Sequence, residues 1–181
     1  MHGAATETND KRLIETAAAA FEKAAEEDLD ILANAAALRW QAGDRRRALE
    51  MLAQVVRERP GCAVARINQI IFLNDDRRVA LRSLLELEPE FPTDFNVLTA
   101  IADHFFMVDD WVNALVYYRQ VIAQPPFAFL MEQVYVRGAL CKQRTRKGDA
   151  GKMAAIEFAL EGIGRFPDSK MLRDFLSSLS T

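Results

Sequence analysis

Two short phrases in the chain follow the same pattern. Gly43-Asp44 leads to Ala48-Leu49, and Asp109-Asp110-Trp111 leads to Ala114-Leu115. Each phrase closes one helix-patterned run, opens a second, and reaches proline afterwards, at Pro60 in the first case and at Pro125-Pro126 in the second. A turn between two amphipathic runs, used more than once, spells repeated helix–turn–helix units. One such unit cannot bury its apolar face alone, so units stack on their neighbours and expose a long grooved surface.

The glycines and prolines, eight and six in number, fall between periodic segments, and no strand-like alternation runs over several residues. The chain therefore reads as all-α. Thr8-Asn9-Asp10 offers an N-cap for a first helix with Leu13, Ala17, Phe21 and Ala24 on one face. A second helix carries Leu32, Ala35, Ala36 and Arg39 on its inner stripe and ends at Gly43, which can take a left-handed conformation. Asp44 caps a third helix with Ala48, Leu52, Val55 and Val56 inward.

A third hairpin runs from Val64, Ile67, Ile70 and Ile71 through the turn Asn74-Asp75-Asp76 to Ala80, Leu84 and Leu87. Thr93-Asp94 caps the next arm, with Leu98, Ile101, Ala102 and Phe105 inward, and Trp111, Ala114, Leu115, Tyr118 and Val121 follow its turn. A longer helix from Phe127, the turn Gly148-Asp149, and the run Ala154, Ala155, Phe158, Ala159 lead to Pro167. Asp168-Ser169 caps a last helix with Met171, Leu172, Phe175, Leu176 and Leu179 inward. The expectation is about ten helices in one domain spanning 1–181: residues 1–8 disordered, 9–27 a capping helix, 29–167 the hairpins and 168–181 a second capping helix.

These units resemble the tetratricopeptide repeat, a helical hairpin of roughly 34 residues with small residues where its helices cross. Leu29 to Cys62 fits through Leu32, Ala36, Gly43-Asp44, Ala48, Leu52 and Pro60. Phe95 to Ala128 fits through Leu98, Ile101, Ala102, Phe105, Trp111, Ala114, Tyr118, Val121 and Pro126. Alanine at 36, 48, 102 and 114 lets two backbones approach closely, and a larger side chain would force the pair apart. The resemblance implies a right-handed superhelix of antiparallel hairpins. It also implies that first helices line a concave groove, with Ala33, Ala37 and Trp40 from one good repeat and Thr99, Asp103 and Phe106 from the other. Trp40 and Phe106 are the expected anchors, because rigid rings bury area at small entropic cost. Ala33 and Ala37 cannot donate side-chain hydrogen bonds, which argues against the clamp some family members use for a chaperone's C-terminal carboxylate.

Chemistry is sparsely signalled. The chain has two histidines, His2 and His104, and no nucleophile elbow, zinc-binding helix motif, phosphate loop or calcium loop. His104 reads as a half-exposed helix residue. Cys62 and Cys141 lack metal-type spacing and read as reduced core fillers. Carboxylates at Glu26-Glu27-Asp28 and Asp109-Asp110 fall at helix ends, where capping explains them. No cofactor or metal is expected.

A net charge of −3 argues against a nucleic-acid partner. No apolar run is long enough for membrane insertion, and Met1-His2-Gly3-Ala4 lacks the order of a signal peptide, so a cytoplasmic location is expected. Charges gather at the turns, in Arg45-Arg46-Arg47, in Asp75-Asp76-Arg77-Arg78, and in Lys142, Arg144, Arg146 and Lys147. The sequence thus points to a non-enzymatic protein-interaction module, an adaptor or chaperone that holds a peptide or helix of another protein. The alternatives are a bacterial secretion-type chaperone, or a scaffold subunit that self-assembles as a homo-oligomer.

Overall fold

The computed structural model describes residues 3–24, 28–124 and 128–180. Among them are ten α-helices and no strand. Contacts divide the chain into two compact units, Met1–Asp76 and Arg77–Thr181.

The first unit contains α1 (Gly3–Ala24), α2 (Leu29–Ala42), α3 (Arg45–Glu58) and α4 (Ala63–Leu73). Helix α2 packs against α1, α3 and α4. Asp28 caps α2 by accepting from the Asp30 amide at 2.8 Å. Gly43 ends α2 at φ 91°, and Asp44 caps α3 through the Arg47 amide at 3.2 Å. A side chain with a Cβ is strained at that φ, so the Gly43-Asp44 phrase fixes where the hairpin turns. Ala36 and Ala48 are fully buried at the α2–α3 crossing, with Met51, Leu52 and Val55 completing the core.

Helix α1 departs from expectation in two ways. It begins at Gly3, so Thr8-Asn9-Asp10 lies inside the helix rather than at its start. Ala4 and Ala5 are strong helix formers and extend the helix past the polar triplet. The buried face also differs. Ala18 is fully covered, while Leu13 and Phe21 are 68% and 42% exposed. Glu22 lies on the side of α1 that faces α2 and accepts from Arg39 Nε at 2.8 Å. The Glu26-Glu27 pair, Pro125-Pro126 and Phe127 lie outside the described residues.

The second unit contains α5 (Arg77–Leu87), a 3₁₀ turn (Glu88–Glu90), α6 (Phe95–Met107), α7 (Trp111–Ala123), α8 (Ala128–Arg144), α9 (Gly148–Arg165) and α10 (Lys170–Ser180). The expected third hairpin has its two arms, α4 and α5, in different units. Asp94 caps α6 through the Asn96 and Val97 amides, and Asp110 caps α7 through the Asn113 amide. Asp109 takes φ 63°, the left-handed role that Gly43 plays in the other hairpin.

Ala102 and Ala114 are fully buried where α6 crosses α7. The α8–α9 pair uses glycine as well as alanine. A Cβ at Gly138 would fall 2.5 Å from the Phe158 ring, and one at Gly162 would fall 2.7 Å from Tyr135. Ser169 caps α10 by accepting from the Leu172 amide, and its own hydroxyl donates to Glu132 at 2.6 Å. Leu172 and Leu179 are buried beneath α10, but Met171 is 41% exposed. Cys62 and Cys141 are both free and buried, one in each unit, as expected of core fillers. Burial pushes the Cys141 thiol up to about 12.

Candidate functional site

The residues expected to line a groove fall into two groups, one in each unit. In the first unit Ala33 is fully buried within the core and does not reach the surface, which corrects its assignment as a groove residue. A methyl on a helix flanked by α1, α3 and α4 is too short to emerge. Ala37 and Trp40 are half-buried. The Trp40 indole stacks on Phe72 of α4, with centroids 4.2 Å apart and planes within 6°, and the Arg45 guanidinium sits 4.8 Å above it. Two of the ring's contacts are therefore made within its own unit.

In the second unit Thr99, Asp103 and Phe106 share one side of α6. Phe106 is half-buried and meets Trp111 edge-on at 5.0 Å and Tyr118 at 6.4 Å. Asp103 is the centre of a polar network. Its Oδ1 accepts from the Tyr118 hydroxyl at 2.7 Å, and its Oδ2 pairs with the Arg137 guanidinium of α8. Tyr118 is fully buried. Burial, then the Asp103 charge and hydrogen bond, hold its phenol well above the ordinary range, so it stays a neutral donor. Burial is the largest single influence on Arg137 and works against its charge, but the hydrogen bond and charge of Asp103, with Tyr118 adding to them, together raise the guanidinium pKa.

The Asp103 and Arg137 side chains remain 26% and 38% exposed, so this pair faces solvent while Tyr118 anchors it from below. One helical turn before Asp103, the Thr99 hydroxyl oxygen is covered and has no hydrogen-bond partner among the described residues. A buried hydroxyl without a partner costs about 1–3 kcal/mol.

Arg137 was not foreseen from the sequence. The available signal was the period itself, because Arg137 stands one repeat length after Asp103, at the matching position of the next first helix. His104, expected half-exposed, is 5% exposed, and its Nδ1 lies 2.8 Å from the Ala100 carbonyl, to which Nδ1–H donates. No group of three or more His, Cys, Asp or Glu among the described residues is placed to hold a metal. No described helix is long and apolar enough to cross a membrane.

Alanine-crossed antiparallel hairpins, capped by aspartate and joined by left-handed turns, define a helical-repeat protein. The repeat has the tetratricopeptide fold, as solved structures bear out. A tetratricopeptide repeat protein from Parabacteroides merdae aligns over 96% of this chain and 68% of its own, at 12% identity and TM-score 0.60. MamA from Desulfovibrio magneticus, from its residue 41 onward, aligns over 93% of this chain and 99% of its own, at 16% identity and TM-score 0.55. A double mutant of the RS-1 MamA aligns over 94% and 99%, at 14% identity and TM-score 0.54. No protein-family model and no curated protein sequence matches the chain.

Proposed function

We propose that this protein is a non-enzymatic interaction module whose α6–α8 face holds a peptide or helix of a partner protein, in an adaptor or chaperone role. The observation that carries the reading is the Asp103–Arg137 pair, which sets a partly exposed carboxylate and a guanidinium on neighbouring first helices. These are the groups that bind main-chain amides and carbonyls, while Phe106 beside them supplies apolar area.

The test is a photoreactive residue at position 99 or 137, followed by mapping of the cross-linked partner peptide. Recovery of one partner segment at both positions, reduced by Arg137→Glu, supports the reading. Cross-links spread evenly over surface control positions would overturn it.

A second reading is self-association as a scaffold, favoured by exposed Leu13 and Phe21 on α1. Apolar side chains left in water gain by burial in an interface. Light scattering of Leu13→Asp/Phe21→Asp beside the parent protein tests it: equal masses at all concentrations remove the scaffold reading.

A further inference from the structure

A second surface lies in the same unit, away from the Asp103–Arg137 pair. The second helices α7 and α9 and the end of α8 enclose a cleft of about 250 Å³. Arg119, Lys142 and Arg146 line it together with Glu157, Glu161 and Phe158. Arg119 is already committed. It donates to both Glu161 oxygens, at 2.9 and 2.7 Å, and its guanidinium lies 4.1 Å over the Phe158 ring. Lys142 and Arg146 have no ion-pair or hydrogen-bond partner for their charged groups among the described residues.

The turn carrying these cations is rigidly built. Gly151 lets the first turn of α9 press onto the Arg146 and Gln143 carbonyls, where a Cβ would come within 2.5 and 2.6 Å. The Thr145 hydroxyl donates to the Cys141 carbonyl at 2.9 Å and closes the end of α8. The backbone that carries the two cations is thus packed in place before any ligand arrives.

The surroundings extend the charge. Arg144, Lys147 and Lys152 flank the cleft in sequence, with Asp149 the one acidic residue between 142 and 152. A chain of net charge −3 therefore carries a concentrated basic edge at the α8–α9 turn. We infer that this edge docks an acidic segment of a partner polypeptide, with one carboxylate side chain seated in the cleft against Lys142 and Arg146.

Three features favour an acidic polypeptide over a nucleic acid. The cleft, about 250 Å³, is on the scale of side chains rather than of a run of nucleotides. Phe158 is 2% exposed and offers no platform for stacking bases. Glu157 and Glu161 on the far wall repel a continuous polyphosphate but leave space for spaced carboxylates. The Lys142–Arg146 side chains then make charge-assisted hydrogen bonds, and the outer cations steer approach.

Fluorescence anisotropy of a fluorescein-labelled peptide of six glutamates, each separated by a glycine, tests this on the full chain. The peptide should bind saturably, weaken with added sodium chloride, and lose at least tenfold in affinity in Lys142→Glu/Arg146→Glu. Arg12→Glu/Lys23→Glu makes the same change in net charge on the other unit and should leave binding within about twofold. Absence of binding, equal binding by both double variants, tighter binding of an oligothymidylate of equal charge, or equal displacement by inorganic phosphate would each overturn the proposal. Unchanged thermal melts of the variants exclude unfolding as the cause of any loss.

Discussion

The Tyr118 hydroxyl donates to Asp103 at 2.7 Å, tying the buried side of α7 to the exposed side of α6. This bond makes a surface carboxylate part of the core's hydrogen bonding. Tyr118→Phe removes donor and bond together and should cost about 1.5 kcal/mol by chemical denaturation, the scale of a hydrogen bond to a charged acceptor. Asp103→Ala leaves the Tyr118 hydroxyl buried without a partner and should cost more, about 2–3 kcal/mol. The reverse order would show that the network does not stabilise the unit in this way.

The alkaline limb of stability should be steep. All three tyrosines of the chain, Tyr117, Tyr118 and Tyr135, have raised pKa values, each chiefly through burial, and Tyr117 is pushed up to about 12. A phenol whose folded value exceeds its unfolded value, about 10, contributes stability that is complete below pH 10. That stability is lost as pH rises through the folded value. Tyrosinate absorbance should therefore stay flat through pH 10 and rise together with loss of helical circular dichroism. Ionisation near pH 10 with the helices intact would contradict this.

Acid should act on the first unit through Glu22. The Arg39 hydrogen bond, opposed in part by burial, holds this carboxyl below the usual range. Its contribution is present above the unfolded carboxylate value, about 4.3, and is lost as pH falls through the lower folded value. Glu22→Gln should cost about 1 kcal/mol at neutral pH and flatten the acid dependence between pH 5 and the depressed value. Parallel acid curves for the variant and the parent would count against the assignment.

Gly138 should accept no side chain freely. A methyl there meets the Phe158 ring at 2.5 Å, so Gly138→Ala should lose about 1–3 kcal/mol despite alanine's better helix propensity. A methyl at Gly164 would meet nothing within 4 Å, so this position serves as the control, where alanine should stabilise slightly.

The two good hairpins were legible because each local signal agreed with the next. Gly43, Asp44, Ala36 and Ala48 all fall where the phrase placed them, as do Asp110, Ala102 and Ala114. The α8–α9 crossing was less legible because Gly138 and Gly162 read as breakers in a sequence, whereas here they are contact surfaces. The register of α1 was obscured by its alanine run, which gives nearly equal apolarity to several faces. Asp103 lies on α6, but its partners are not visible in the sequence, since Arg137 and Tyr118 come from two other helices. Trp40 and Phe106 read as anchors because large rings on a first helix suit a groove. The structure shows their ring partners instead, Phe72 for Trp40 and Trp111 and Tyr118 for Phe106.

The account rests on close helix contact at the buried alanines, since both proposed surfaces depend on hairpins held at that spacing. Its most direct test is equilibrium denaturation of Ala48→Leu and Ala114→Leu beside Ala53→Leu and Ala123→Leu, the last two positions being exposed on the same two helices. The crossing variants should lose about 1–3 kcal/mol through overpacking, and the exposed ones should stay within about 0.5 kcal/mol. Equal stability of all four would contradict it.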